Sequence, residues 1–314
     1  MTSNVSIYER VGHIELDVDG IIKRYDGLDF RFSIEKVAGG GTPNFAHIGI
    51  LGLSRTTVND IATYLQRSFY GSRRKLIKIY AGYRKTGEQL IFCGDIIIAK
   101  PSQPPDNWIS ISAQTNGWMR SEVTSFDLYD EAQKDKVETG RDDKKITIRF
   151  LFERIAKLYG MSLEYKTDNP DLDREIVGFD CTGSYQDIFR RANTLSSVKM
   201  MCEYTAEKKQ IIIVYDDSST NANGSKIYNL SAESGLIGIP EFMFPEVKFR
   251  MLMNPYIHLF DDVNIKSILV PNAGGIFNIR RIRYNGHFRG TPWYMDCEAR
   301  LSDYENIAKR SSAK

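Results

Sequence analysis

Strict alternation of apolar and polar side chains near both ends of the sequence is the feature that most constrains the fold. Residues 29–35, 107–114 and 293–301 each place apolar side chains at every second position. Successive side chains of a β-strand point to opposite sides, so this spacing is typical of strands with one side in a core and the other facing water. Both ends of the chain are therefore predicted to form antiparallel β-sheet.

One segment near the C-terminus interrupts this alternation. Phe277 and Ile279 have one parity, whereas Ile282 and Tyr284 have the other. One extra residue in the strand would return all four side chains to the same side of the sheet, which is what a β-bulge does. We predict a bulge near Arg280–Arg281.

The middle of the sequence has a helical pattern instead. From residue 147 to 159, apolar residues recur at a spacing of three and four, and Gly160 stands where helices commonly end. A second helix is predicted from Ser184, because Asp187 follows three residues later in an arrangement close to a capping box. A hairpin that turns at residues 207–209 is predicted to follow.

Two polar segments bracket this helical block and are typical of linkers, at residues 127–145 and 216–226. The sequence therefore predicts a mainly β chain with an inserted α+β unit. The predicted boundaries are 1–125 for the first β domain, 126–225 for the inserted domain with its linkers, 226–304 for the second β domain and 305–314 for a basic tail.

Charge and hydropathy exclude several classes of protein. The 314 residues include 42 Lys and Arg against 40 Asp and Glu, which gives no strong electrostatic reason to expect binding to nucleic acid or to a membrane. The N-terminal 20 residues lack the basic and apolar regions of a secretion signal. No uncharged apolar run approaches the roughly 20 residues that span a bilayer. We expect a soluble chain that is made in the cytoplasm and does not insert into membranes.

The reactive side chains are scattered. No C-x-x-C pair or local metal-binding motif occurs, and no phosphate loop, nucleophile elbow or dinucleotide fingerprint is present. We expect no catalytic residue, no metal and no cofactor, and we expect Cys93 and Cys297 to be small buried side chains. The histidines are His13, His47, His258 and His287.

Three features leave alternatives open. Adjacent acidic pairs occur at Asp142–Asp143, Asp216–Asp217 and Asp261–Asp262, and a glycan hydrolase needs only two carboxylates. Each pair falls at a turn or linker, where aspartates usually form turn hydrogen bonds. The glycine-rich residues 37–44 are expected to form a hairpin loop. The basic, aromatic residues 70–87 alternate as a strand does, which favours a strand over a groove for a polyanion.

An ordered series of short motifs resembles the first domain of baseplate hub proteins from long-tailed bacteriophages. Among these phages, the resemblance favours those with contractile tails. The motifs are a Pro-Asn turn, a strand of small and apolar residues, a helix start, an Ala-Gly-Tyr strand and a Phe-x-Gly-x-Ile strand. In this sequence they are Pro43–Asn44, Ala46 to Leu53, Ser54 to Leu65, Ala81 to Tyr83 and Phe92 to Ile96. The C-terminal part is similar to the second barrel of that family, with Asn254–Pro255 before a strand and Trp293 opening the last one.

The resemblance implies two tail-tube-like β-barrel domains in one chain and a structural role. It implies a trimeric ring that joins the sixfold tail tube to the threefold central spike and leaves an axial channel for DNA. The expected partners are the tail tube protein, the central spike protein, other baseplate proteins and the tape-measure protein, with DNA only as cargo. The expected location is the virion baseplate, after assembly in the host cytoplasm.

The contacts between copies are predicted from segments that are apolar on both sides, residues 45–53 and 90–99. Such segments need a second covering surface. The predicted contact residues of a homotrimer are Phe45, His47, Leu51, Leu53, Ile91 and Ile97. A tail-associated cell-wall glycan hydrolase or a carbohydrate-binding module remains the alternative function.

Overall fold

The computed structural model of the chain describes residues 9–18, 20–39, 43–62, 75–103, 105, 107–117, 123–125, 146–177, 179–204, 210–216, 227–266 and 275–302. The chain forms two compact units. The first combines both ends of the sequence, Met1–Ala38, Pro43–Gly117 and Thr220–Lys314. The second contains Gly39–Thr42 and Trp118–Ser219.

The N-terminal part of the first unit contains seven strands and one short helix among the described residues. They are β1 (Arg10–Val18), β2 (Ile21–Asp26), β3 (Asp29–Val37), β4 (Phe45–Leu51), α1 (Arg55–Ile61), β5 (Lys75–Tyr83), β6 (Gly87–Pro101) and β7 (Trp108–Gln114). The alternation predicted a strand at β3, and there Phe30, Phe32 and Ile34 are buried. The helix predicted from Ser54 begins there, but Ala62 is extended and α1 ends at Ile61.

The inserted unit contains β8 (Val123–Thr124), α2 (Ile148–Leu158), β9 (Ser162–Tyr165), a 3-10 helix (Pro170–Asp173), β10 (Gly183–Ser184), α3 (Tyr185–Thr194), β11 (Lys199–Tyr204) and β12 (Gln210–Tyr215). Its main sheet has the order β11-β12-β9, and β8 pairs with β10. Both predicted helices are confirmed, and their caps explain where they start. The side chains of Thr147 and Ser184 accept hydrogen bonds from the backbone amides of Phe150 and Asp187.

One apolar core holds the inserted unit together. The buried faces of α2 and α3 pack with alternate residues of β11 and β12, including Leu151, Ile155, Ile188, Met200 and Ile212. Gly160 follows α2 with a φ of 64°, which is the conformation that glycine adopts most readily after a helix. The predicted turn at residues 207–209, the whole predicted linker 127–145 and residues 217–226 of the second predicted linker lie outside the described residues.

The C-terminal part of the first unit contains β13 (Tyr228–Leu230), a 3-10 helix (Ala232–Ser234), β14 (Leu236–Met243), β15 (Glu246–Leu252), β16 (Asp262–Ile265), β17 (Ile276–His287) and β18 (Trp293–Leu301). The bulge predicted in β17 is confirmed, because its register against β18 shifts between Ile279 and Arg281. As a result, the apolar side chains on both sides of the shift are buried: Phe277, Ile279, Ile282 and Tyr284.

All strands of the first unit belong to one 13-stranded sheet. Its main path is β14-β15-β18-β17-β3-β4-β7-β6-β5-β1-β2, with β16 added to β17 and β13 to β16. The two ends of the sequence meet where β3 pairs with β17 in antiparallel register, Glu35 opposite Arg283. The chain is therefore mainly β with an inserted α+β unit, as the sequence predicted.

Side chains also connect the two ends of the sequence beside this pairing. The Arg10 guanidinium donates to the carbonyl oxygens of His287 at 3.2 Å and of Thr291 at 3.0 Å. It also lies over the ring of Trp293, 5.4 Å from the ring centroid. The Tyr256 hydroxyl donates to the carbonyl oxygen of Thr86. The seam between β3 and β17 is thus held by backbone pairing and by long-range side-chain contacts.

Gly286 in this seam tests the packing. A Cβ atom there would overlap the ring of Phe32, and overpacked core positions typically cost about 1–3 kcal/mol. We expect Gly286→Ala to lower the free energy of unfolding by that amount, measured by chemical denaturation. Ser110→Ala at an exposed position of β7 is the control and should change it by less than about 0.5 kcal/mol. Equal stability of the two variants would contradict this packing.

Candidate assembly surface

The reactive side chains in the described part of the chain lie in separate local environments. No group of three or more His, Cys, Asp or Glu side chains there could hold a metal ion. Asp261 accepts a hydrogen bond from the backbone amide of His258, and Asp262 accepts one from the Asn278 side chain. Asp216 accepts from Thr167 and Asn169. Asp142, Asp143 and Asp217 lie outside the described residues.

The cysteines are free thiols. Cys93 and Cys297 are buried in strands, as predicted, with 2% and 1% of their surface exposed. Burial, with the nearby Asp296 charge as a smaller contribution, raises the pKa of the Cys297 thiol well above its ordinary value. A thiol that stays protonated is a poor nucleophile and metal ligand, so Cys297 acts as a small core side chain.

A buried ionic cluster lies on β1, β5 and β6. The ring of His13 stacks on Tyr80 at 4.1 Å, and its Nδ1 lies 2.8 Å from Glu88 Oε1. The Lys78 ammonium lies 3.8 Å from a carboxylate oxygen of Glu15 and 3.8 Å from one of Asp17. No prediction from the sequence identified this cluster. Its signal was a row of polar residues at every second position of β1, which alternate with buried isoleucine and leucine.

The exposed side of the sheet carries a second, larger set of charges, which we call the charged ladder. It crosses β15, β18, β17 and β3 on the side opposite the apolar core. We define it by the residues that form ion pairs with one another, which are Lys248 and Arg250 on β15, Asp296 and Glu298 on β18, Arg281 and Arg283 on β17, and Glu35 on β3. About one third to one half of each side chain is exposed.

Contacts within the charged ladder run from strand to strand. Arg250 Nε lies 2.7 Å from Asp296 Oδ1, and Arg283 Nη2 lies 3.1 Å from Glu35 Oε1. Arg281 Nη1 lies 3.3 Å from Glu298 Oε2, and Lys248 Nζ lies 3.6 Å from Glu298 Oε1. The hydrogen bond to Asp296 raises the pKa of the Arg250 guanidinium above its ordinary value. Each cation of the ladder therefore has a carboxylate partner.

The predicted contact residues are distributed over different environments. Phe45 and His47 are exposed on β4, and Leu51 lies half-buried on the same side of that strand. Leu53 and Ile97 are half-buried. Ile91 is only 1% exposed, and β6 is buried from Leu90 to Ile96 within the chain itself. The structure thus brings the three β4 residues together and places Ile91 in the core.

Exposed apolar side chains that sequence reasoning did not select occur on the two outermost strands of the main sheet path. Ile21 and Ile22 on β2 are 64% and 51% exposed. Ile239 on β14 is 59% exposed, and Met243 at its end is 65% exposed. No helix among the described residues has the length and apolar content required to span a membrane.

Comparison with known protein families gives a match over most of the chain. Residues 14–299 match a protein family described as baseplate hub gp41. The chain belongs to this family. It is therefore a structural component of the phage tail baseplate, and its place is the tail of the virion. No curated protein sequence matches the chain.

Solved structures show the same fold at low sequence identity. The 43 kDa tail protein of prophage MuSo2 from Shewanella oneidensis is 9% identical, with a TM-score of 0.56 over 93% of this chain and 97% of that one. A tail protein from Neisseria meningitidis is 9% identical, with a TM-score of 0.57 over 94% and 98%. A type VI secretion component from E. coli, described as similar to T4 tail proteins gp27 and gp5, is 10% identical, with a TM-score of 0.54 over 91% and 76%.

Lys78 is the residue whose loss should most disturb the buried ionic cluster. The side chains of Glu15 and Asp17 are only 11% and 16% exposed, and Lys78→Met removes the cation beside their carboxylates. Removing one partner of a buried ion pair typically costs about 3–5 kcal/mol. We expect a loss of about 3 kcal/mol in the free energy of unfolding, measured by chemical denaturation. Lys78→Arg should recover much of it.

The matched control for this experiment is Lys100→Met at an exposed position of β6, which should change stability by less than about 0.5 kcal/mol. If Lys78→Met were as stable as this control, the cluster would contribute nothing to the fold.

Proposed function

We propose that the chain is the hub at the centre of the baseplate, where three copies form a ring between the sixfold tail tube and the threefold spike. The continuous sheet that joins both ends of the sequence carries this proposal. In the proposed hub, residues 1–125 and 226–304 would each supply one tube-like barrel, and the observed pairing of β3 with β17 would hold the two side by side. Three such chains present six similar barrels, which matches a threefold ring to a sixfold tube.

The partners follow from this position in the tail. The tube protein would contact one side of the ring and the central spike protein the other, with other baseplate proteins around it. The tape-measure protein and DNA would pass through the axial channel, DNA only as cargo. The kinship of the fold with a secretion component that is itself similar to T4 gp27 and gp5 supports this arrangement. Assembly would take place in the host cytoplasm, and the mechanism is symmetry matching rather than turnover.

The contacts between copies would use the exposed or half-buried members of the predicted set, Phe45, His47, Leu51, Leu53 and Ile97. Ile91 could support them only from within the core, since it has almost no exposed surface. Fully burying one leucine- or isoleucine-sized side chain contributes roughly 1.5–3 kcal/mol. Several such side chains could therefore hold copies together.

Oligomeric mass tests the ring. We expect light scattering of the concentrated chain to give three times the 35.9 kDa chain mass. Leu53→Asp and Ile97→Asp should each weaken association about tenfold or more, because a charge would be buried at the contact. Val177→Asp, at a fully exposed position of the inserted unit, should leave the mass unchanged. A twofold dimer, or a single copy in each assembled baseplate, would contradict the proposal.

A zymogram tests the alternative of a glycan hydrolase. The described acidic residues of the predicted pairs accept hydrogen bonds, Asp216 and Asp261 outside the strands and Asp262 at the start of β16, which is a structural use of aspartate. We therefore expect the full chain to leave a peptidoglycan gel uncleared, with lysozyme as the positive control. A clearing band that disappears in Asp261→Asn or Asp262→Asn would establish the enzyme instead.

A further inference from the structure

The first unit contains the same arrangement of four strands twice. In the N-terminal part, β3 pairs with β4 and β6 pairs with β7, and their order in the sheet is β3-β4-β7-β6. In the C-terminal part, β14 pairs with β15 and β17 pairs with β18, in the order β14-β15-β18-β17. Because the order along the chain is also the same, β14 corresponds to β3 and β17 corresponds to β6.

A β-bulge at the same place in both arrangements fixes the correspondence residue by residue. The register of β6 against β7 shifts after Ile96, which lies opposite Ala113. The register of β17 against β18 shifts after Ile279, which lies opposite Ala299. In each case one residue of the longer strand is skipped, and all four of these side chains are buried. The same strand order, the same bulge and the same buried positions make the two arrangements a structural repeat.

The repeat is incomplete at both of its ends within one chain. On the side away from β18, residues 276–278 of β17 pair with β16 and residues 281–287 pair with β3. On the side away from β7, residues 87–95 of β6 pair with β5, which corresponds to β16. Among the described strands, none takes the place of β3 beside the part of β6 after the bulge. None takes the place of β17 beside β14, which ends the main path of the sheet.

We propose that β14 of one copy lies beside the part of β6 after the bulge in the next copy, as β3 lies beside β17 within each copy. This inference rests on the ring proposed above and names the two strands that close it. A contact between two different edges of the same chain is heterologous, and it forms a ring when the rotation between copies closes. The pairing of β3 with β17 contains the same step once in every chain, so one geometry recurs around the ring.

Exposed apolar side chains lie on both edges that this contact brings together. Within the chain, Arg281 of β17 reaches Glu35 of β3 across the seam, with Nε 3.6 Å from Oε1. In the repeat, Ile98 takes the place of Arg281, since each is the first paired residue after the bulge. The registers of the neighbouring strands place Met243 at the position of Glu35. Ile98 is 42% exposed and Met243 is 65% exposed, so an apolar contact replaces the ion pair, as in the core of subunit interfaces.

This contact also separates the contact residues that were predicted from the sequence. Ile97 is the residue skipped in the bulge of β6, immediately before the contact. Phe45, His47 and Leu51 lie on β4, which pairs with β3 on one side and with β7 on the other. Among the predicted residues on β4 and β6, Ile97 is therefore the one beside the contact.

Cysteine cross-linking tests which strands meet. Ile98→Cys and Met243→Cys are combined in one chain, and phage particles that carry it are treated with a bis-maleimide. Its reach matches the roughly 7–8 Å between diagonal neighbours of an antiparallel pair. We expect most of the chain to run on a denaturing gel at three times the 35.9 kDa chain mass, because each copy is linked to the next. The wild type gives the background from its four native cysteines.

Matched variants control this experiment. Ile98→Cys alone and Met243→Cys alone should both remain at the mass of one chain, and linked pairs in either would indicate a twofold contact and overturn the proposal. Arg281→Cys with Glu35→Cys is the positive control, because these residues occupy the same two positions at the seam within one chain. It should lose both new thiols to the reagent without a change in mass.

Association of the purified chain gives a second measurement. Ile98→Asp and Met243→Asp should each weaken association about tenfold or more in light scattering, because a charge would be buried at the contact. Ile22→Asp is the matched control: Ile22 is 51% exposed on β2, and β2 has no counterpart among the described C-terminal strands. It should associate as the wild type does. Equal association of all three variants would overturn the proposal.

Counting copies of the chain in the same baseplates separates this contact from the ring itself. Three copies without cross-links would overturn the contact between β14 and β6 and leave the ring, whereas any other number of copies would exclude the ring. If the double-cysteine variant gives no particles, the purified variant is treated with the bis-maleimide at high concentration. Linked chains would then support the contact, and their absence would overturn it.

Discussion

The antiparallel pairing of β3 with β17 is the interaction on which the rest of the first unit depends. Without it the two ends of the sequence would be separate small sheets, each with an open edge of unpaired backbone groups. With it they form one 13-stranded sheet with an apolar core on one side and the charged ladder on the other. The guanidinium of Arg10 and the hydroxyl of Tyr256 add long-range hydrogen bonds between the N-terminal and C-terminal parts of this unit.

Much of this architecture could be predicted from local patterns. Alternation located the strands that pair at the seam, and the change of parity after Ile279 located a bulge, because burial of one side of a strand leaves a period of two in the sequence. Thr147 and Ser184 located the helix starts, because a cap is a local hydrogen bond. The ordered motifs located the family, which no single one of them could have done.

Other features could not be predicted, because they depend on pairing between distant strands. Because its neighbours in the sequence are apolar, Ile91 was predicted to contact another copy of the chain. In the folded chain, however, both sides of β6 are buried around it. The ladder needs the register that places Arg283 beside Glu35 and Asp296, and nothing near any one of these residues specifies it. The same holds for Lys78, whose carboxylate partners lie on a strand some sixty residues earlier in the sequence.

The seam also bears on how the protein is made. Arg283 and Glu35 are 248 residues apart in the chain, so β3 leaves the ribosome long before its partner exists. Synthesis at about 5–20 residues per second leaves the edge of β3 exposed for roughly ten seconds or more. β4 pairs with the opposite edge of β3 and cannot cover this one, so a chaperone that shields the edge would protect the nascent chain from aggregation. A ribosome that stops before β17 would yield a polypeptide that lacks the partner of β3 and cannot complete the 13-stranded sheet.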